Sequence, residues 1–305
     1  MIDRFPNDRP PENAPMQLLL LCAGARDKTW AGAKAACPLR TKGKRQAQKV
    51  GCWLGRKGLQ PDAVLCEQTL RARVTAEKAL KAAGWTASGI EGSHALSKGD
   101  LPDLQDVNLV LLVAAPKRLG DVAEQMSLEA EIRPGLLLLA QVEDGRAYLK
   151  ERIDPRDLPD LFPFPSPDGP ERRPRPAYYY TQSAVVPFRR TKAGPEILIV
   201  GSSSGRHWVV PKGIVEPGLS PAGSAIIEAR EEAGVEGETG DRPLGSYTYE
   251  KWDATCNVDV YAMEVSRVLP DGAWEETHRD RRWVTRDEAA ELLNEPSLKA
   301  FLPLI

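Results

Sequence analysis

No apolar run in the 305-residue chain approaches the roughly 18 residues that a membrane-spanning helix needs. The opening stretch, Met1 to Pro15, is polar and proline-rich rather than signal-like. The expectation is a soluble, cytoplasmic protein with no membrane partner, residues 1–15 forming a flexible arm ahead of the first strand. Cysteine is scarce. The five present, Cys22, Cys37, Cys52, Cys66 and Cys256, are odd in number, scattered and without C-x-x-C spacing, which argues against a disulfide framework and a thiolate zinc site. His94, His207 and His278 stand far apart and lack the spacing of a metal cluster. Net charge is nearly absent, at −2, so nothing general attracts nucleic acid, and any anion recognition must come from local patches. One patch exists. Between Asp27 and Asp62 the chain has no acidic residue but carries Lys28, Lys34, Arg40, Lys42, Lys44, Arg45, Lys49, Arg56 and Lys57, a run whose simplest reading is a solvated helix face.

What is present suffices for two cores: the length and a 42% hydrophobic content predict two domains. From residue 16 to 159, short aliphatic runs alternate with helical stretches, the pattern of an α/β domain with a buried sheet. Leu18–Leu21, Ala63–Cys66 and Leu109–Ala114 read as strands, with Gly135–Val142 and Arg146–Arg152 as added edges. Gly43–Gly58 and Leu70–Ala83 read as helices that gather their apolar residues on one face. Residues 160–177 are dense in proline and read as a linker. From residue 178 to 305 a second domain follows, with strands at Tyr178–Phe188, Glu196–Val200, His207–Val210, Gly245–Tyr249 and Asn257–Val265. Its helices are Pro221–Ala233 and one that opens at Thr285, with Glu288 completing a capping box.

The Pro221–Ala233 helix carries the chemistry. Pro221 suits a first turn and Gly234 a C-terminus, and between them Glu228, Glu231 and Glu232 fall at i, i+3 and i+4, within one arc of the surface. Two carboxylates about 6 Å apart repel by roughly 3 kcal/mol at an effective dielectric near 20. Arg230, on another face, is the counter-charge the local sequence offers. A hard divalent cation, Mg²⁺ or Mn²⁺, would remove that cost and bridge to phosphate oxygens. The alternative is a solvated acidic face, and spacing alone does not separate the two.

The segment from Pro211 to Val235 resembles the Nudix box. Gly213, Glu228, Ala229, Glu231, Glu232, Gly234 and Val235 match its pattern, whereas Leu219 replaces its first glutamate and Ile227 the arginine that orients the next one. The resemblance spans 178–305, and implies an α/β/α sandwich with a mixed sheet. Phe188-Arg189, EILIVGSSS, HWVVPKG and Trp274-Glu275 with Arg279, Arg281, Arg282 and Trp283 are similar to diphosphoinositol polyphosphate phosphohydrolases. By that analogy Glu231 and Glu232 are metal ligands, Glu228 a ligand or the general base, and the Lys212 carbonyl a further ligand. Glu275 or Glu276 would complete the set. Arg189, Arg206, Lys212, Gly213, Arg279 and Arg281 would bind a phosphate-rich substrate.

Residues 16–159 resemble the histidine phosphatase family, which implies a three-layer α/β/α fold. Leu18–Leu21, the helix opening after Pro38, VLCEQTLRARVTAE with Arg71, and VLLVAAPKRL carry the likeness. The family's R-H-G triplet reads Cys22-Ala23-Gly24, and its second histidine is Ala115. Alanine can neither attack phosphorus nor donate a hydrogen bond, so this domain is expected to be catalytically inactive, with Arg71 left in a vestigial phosphate pocket and Cys22 a core residue. Such a scaffold could support a homodimer. The reading is therefore a Mg²⁺-dependent pyrophosphohydrolase acting on a diphosphoinositol polyphosphate, diadenosine polyphosphate or polyphosphate. The alternatives are a non-catalytic phosphate-ligand sensor and a nucleoside triphosphate cleansing hydrolase.

Overall fold

The structure, a computed structural model, describes residues 15–104, 107–167 and 169–305. The expected arm falls almost wholly on residues 1–14, outside them. The chain divides into two compact units, Met1–Asp160 and Leu161–Ile305.

The first unit runs β1 (Gln17–Cys22), α1 (Thr41–Lys57), β2 (Ala63–Glu67), α2 (Leu70–Ala83), β3 (Ile90–Ser93), α3 (His94–Lys98), β4 (Leu109–Ala114), α4 (Pro116–Gln125), β5 (Leu137–Glu143) and β6 (Arg146–Ile153). Its sheet has the order β3-β2-β4-β1-β5-β6, parallel from β3 to β1 and antiparallel beyond. The strands β1 and β4 are unbroken apolar runs because both faces of the sheet are covered. Leu19, Leu21, Leu111 and Val113 pack against Val50 and Leu54 of α1 and Ala76 of α2. On the other face, Leu18, Leu20 and Leu112 pack against Leu96 of α3 and Leu119 and Val122 of α4. This is the expected three-layer sandwich. Three elements were not predicted: β3 has one buried apolar residue, Ile90, and α3 and α4 are too short for their periodicity to stand out.

The second unit comprises β7 (Phe162–Phe164), β8 (Glu171–Arg173), β9 (Thr181–Thr191), β10 (Gly194–Gly201), β11 (Trp208–Val209), β12 (Lys212–Ile214), α5 (Pro221–Ala233), β13 (Val235–Thr239), β14 (Gly245–Lys251), β15 (Ala254–Val268), β16 (Arg281–Thr285), α6 (Arg286–Leu292) and α7 (Pro296–Lys299). Eight strands form a mixed sheet along β11-β10-β9-β15-β13, with β12 on β9, β14 on β15 and β16 on β10. Only the β9–β15 pairing among these is parallel. Helix α5 packs Ala225, Ala229 and Ala233 on Val185, Leu198, Val200 and Met263. The opposite face, with Ala184, Val186, Ile197 and Val258, lies under α6 and the C-terminal turns.

Two expectations are corrected. The segment 160–177 is not a bare linker, because β7 and β8 pair as a hairpin within it and Phe162 is buried. Proline deletes a ladder donor but is tolerated in such an edge pair, and the aromatic residues between prolines supply apolar area. The strand expected from Tyr178 begins at Thr181, since Ala177–Tyr180 form a 3-10 turn whose tyrosines stack on one another and on Trp252.

Candidate active site on helix α5

Local sequence makes α5. The Ser220 hydroxyl accepts from the Gly223 amide at 3.0 Å, Pro221 takes the first turn where no donor is needed, and Gly234 ends the helix at φ 62°. The helix is pinned to β12 by Ser224 Oγ, which donates to the Ile214 carbonyl at 3.0 Å. That contact turns the Glu228 side of α5 onto the sheet at Gly213. Glycine at 213 leaves room for that carboxyl, because a Cβ there would stand 1.7 Å from Glu228 Oε1 and push it aside.

Burial, joined by repulsion from Glu232, Glu231, Glu276 and Glu216, pushes the Glu228 carboxyl up to about 7. Glu232 is buried, and burial raises it to about 7 as well, against the pull of Arg279 and of the Lys212 amide. Lys212 N donates to Glu232 Oε2 at 3.1 Å and Arg279 Nη2 to Glu232 Oε1 at 2.7 Å. Arg279 also pairs with Glu276 through Nε and donates from Nη1 to the Gly201 carbonyl at 3.2 Å. The sequence left Glu275 and Glu276 open as a further carboxylate. Glu276 is the one that joins the cluster, while Glu275 lines a cavity of about 410 Å³ with Ile227, Arg230, Glu231 and Trp274. Glu216 was missed, since it lies outside the helix spacing that drew attention to the other three.

The cations assigned from the sequence all have protein contacts. Arg279 and Arg281 were expected on substrate phosphate, but both are occupied. Arg281 caps the C-terminus of α5 through the carbonyls of Ala233 at 3.2 Å and Gly234 at 3.3 Å, pairs with Asp271 and lies over the Trp274 ring. Arg230 was the counter-charge visible from the sequence, yet it pairs with Glu236, and the counter-charge at the cluster comes from Arg279, which pairs with Glu232 and Glu276. Lys212 divides in two: its amide serves Glu232, whereas its ammonium, level with Ala184, bonds Gln182 at 3.1 Å and Tyr249 at 2.8 Å on the α6 side of the sheet. Burial there pulls the ammonium down to about 8. Arg189 pairs with Glu196 and stacks on Trp283, and Arg206 is an exposed cation in the turn before β11, with a 3.4 Å contact to Ser204.

The cluster fits a hard cation by its chemistry. Its donors are carboxylate oxygens in excess of local positive charge, and Ser183 Oγ, across from Gly213 on the helix side of the sheet, is buried without a hydrogen-bond partner among the described residues. No group of three or more acidic, histidine or cysteine side chains among the described residues already converges as a ligand set. Both Glu232 oxygens face protein donors, the Lys212 amide and the Arg279 guanidinium.

In the first unit, Cys22 and Ala23 are buried, and burial pushes the Cys22 thiol up to about 12, which leaves no thiolate nucleophile. The Arg71 charge pulls in the opposite direction, favouring the thiolate, but burial outweighs it.

The NUDIX domain family matches residues 180–305. The chain is 32% identical over 121 residues to diphosphoinositol polyphosphate phosphohydrolase 3-beta of Bos taurus, a match covering 39% of this chain and 71% of that protein. It is 37% identical over 115 residues to diphosphoinositol polyphosphate phosphohydrolase 2 of Mus musculus, covering 37% of this chain and 62% of the relative, which thus extends well beyond the match. Among solved structures, the C. elegans Ap4A hydrolase binary complex shares 20% identity at a TM-score of 0.36, over 41% of this chain and 93% of that one. The protein histidine phosphatase SixA complexed with tungstate shares 16% identity at a TM-score of 0.40, over 47% of this chain and 99% of that one. Through residues 180–305 the chain belongs to the Nudix family, a class of hydrolases acting on diphosphate bonds.

Proposed function

We propose that the second unit hydrolyses a phosphoric anhydride bond in a phosphate-rich metabolite of the diphosphoinositol polyphosphate, diadenosine polyphosphate or polyphosphate type, with Mg²⁺ or Mn²⁺ held by Glu228, Glu231 and Glu232 and the Lys212 carbonyl. The observation that carries the reading is the half-buried carboxylate cluster, with Glu232 buried, on the Gly213 side of α5, in a chain whose relatives bear the name diphosphoinositol polyphosphate phosphohydrolase. The bound ion would neutralise charge developing on the transferred phosphoryl group. Glu228, whose carboxyl burial and the neighbouring glutamates raise to about 7, would take a proton from the attacking water. Gly213 leaves the room that its carboxyl needs. Arg206 offers a cation to outlying phosphates, and the cavity beside Ile227 and Glu231 offers space for the non-reacting part of the substrate.

The first unit acts as a catalytically silent scaffold, because Ala23 and Ala115 stand where its chemistry would need histidine. The five cysteines are all free, which suits a reducing cytoplasm. A panel of diphosphoinositol polyphosphates, diadenosine polyphosphates, nucleoside triphosphates and polyphosphate, each with Mg²⁺ and with Mn²⁺, tests the assignment. Metal-dependent turnover that disappears in Glu232→Gln is expected. The engagement of both Glu232 oxygens favours a second reading, a phosphate-ligand sensor; tight binding without turnover under any metal would establish it instead.

A further inference from the structure

At the position where the Nudix pattern places its arginine this chain has Ile227, an exposed aliphatic residue that can give no hydrogen bond to a carboxylate. The loop between β15 and β16 brings another arginine to the cluster. That loop is fastened along the C-terminal half of α5: Leu269 N donates to the Gly234 carbonyl at 2.8 Å, Glu276 N to the Glu231 carbonyl at 3.0 Å, and the Trp274 ring packs against Gly234. So anchored, it delivers Arg279 into the protein, its side chain 9% exposed.

Every nitrogen of the guanidinium is used. Nε meets Glu276, Nη1 the Gly201 carbonyl and Nη2 Glu232, an arrangement that matches the planar fork of arginine and that lysine cannot reproduce. Glu232 is thereby held at both oxygens, by Arg279 on one side and the Lys212 amide on the other. A buried ion pair of this kind adds little net stability over an apolar contact, yet losing one partner strands the other's charge, so Glu232 stays against Arg279. A carboxylate that binds a metal keeps lone pairs for such partners, which set the direction in which the remaining ones point.

From this geometry we infer that Arg279, supplied by the β15–β16 loop, is the positioning residue of Glu232, a different carboxylate from the Glu228 that an arginine at Ile227 would serve. It does not contact substrate phosphate, the role that its place in the sequence suggested. The inference rests on the proposed metal-dependent activity for its setting, but it is tested by metal binding as well as by turnover.

The experiment uses the full chain. Mn²⁺ affinity is measured from the free-ion paramagnetic signal for wild type, Arg279→Ala, Arg279→Lys and Glu276→Gln, with circular dichroism to confirm folding. Steady-state kinetics follow on whichever diphosphate substrate the panel identifies. Arg279→Ala is expected to weaken Mn²⁺ binding by about 10–100-fold and to lower kcat with KM nearly unchanged. Arg279→Lys, which keeps the charge but loses the fork, should fall between Ala and wild type, so a misfolded Ala variant still leaves a decisive comparison. Glu276→Gln should weaken Mn²⁺ less than Arg279→Ala does. Unchanged Mn²⁺ affinity in both Arg279 variants with a raised KM would overturn the inference in favour of phosphate contact. Tighter Mn²⁺ binding would overturn it by making Arg279 a competitor of the metal, and a wild type that binds no Mn²⁺ leaves Arg279 nothing to position and also overturns it. Mn²⁺ binding weakened as expected, with no turnover on any substrate in wild type, would instead remove the functional reading and leave the positioning role standing.

Discussion

Glu228 and Glu232 sit where a negative charge is poorly solvated, and this gives the metal-free protein a definite pH response. Both carboxyls stand at about 7 in the fold against an ordinary 4.5, so across that interval the native state holds protons that the unfolded chain has released. Their contribution to stability is therefore greatest below the ordinary value and is lost as pH rises through the folded one. Urea midpoints of the metal-free second unit should fall between about pH 5 and about pH 7.5, and saturating Mn²⁺ should flatten that fall by taking the place of the protons. A midpoint that rises over the same interval would show that the cluster is not strained. At this scale the sequence exposed the three helix carboxylates by their spacing. It could not show Arg279 as their counter-charge, because that pairing joins residues 47 positions apart.

Helix α5 and strand β12 form a unit whose spacing depends on one missing methyl group. A Cβ at residue 213 would meet Glu228 Oε1 at 1.7 Å, and the carboxyl is the movable partner, so Gly213→Ala should displace it without unfolding the sheet. A shift of about 1 Å in a reacting group can cost about a hundredfold in rate, and kcat should drop on that order while the thermal transition stays close to wild type. The α1–α2 contact in the first unit makes the opposite case. There a Cβ on Gly51 would stand 2.0 Å from the Ala79 carbonyl oxygen, and two backbones cannot part locally. Alanine would gain up to about 1 kcal/mol in helix propensity but lose about 1–3 kcal/mol to overpacking, so Gly51→Ala should lower the urea midpoint of the first unit.

Across the whole molecule, the two units carry separate cores and answer to different variables. In the first, the buried Asp154 receives Arg133 together with Arg156 at 3.0 Å, and these partners, the Arg156 hydrogen bonds foremost, hold its carboxyl down at about 2. Its contribution is present above the ordinary value of 3.8 and is lost as pH falls toward the folded value. Asp154→Asn should remove that acid-dependent loss and, with the solvent-exposed Arg156 as its main partner, cost the first unit about 1–2 kcal/mol near neutrality, leaving the Mn²⁺-responsive transition of the second unchanged. Two-step unfolding curves would check both statements.

Local physics determined a good part of this protein from the sequence alone. The apolar runs of β1 and β4, the bounds of α2 and α5, the capping box at Thr285 and the carboxylate arc follow from periodicity and caps, which act within a few residues. Tertiary structure decided what those residues face. It folded the proline-rich segment 161–177 onto the second unit, turned the Lys212 ammonium to the α6 side of the sheet, and committed Arg279 and Arg281 to protein acceptors. A charged side chain's partner is set by whichever strand or loop the topology brings beside it, and that neighbour lies far along the chain, beyond the reach of any local pattern.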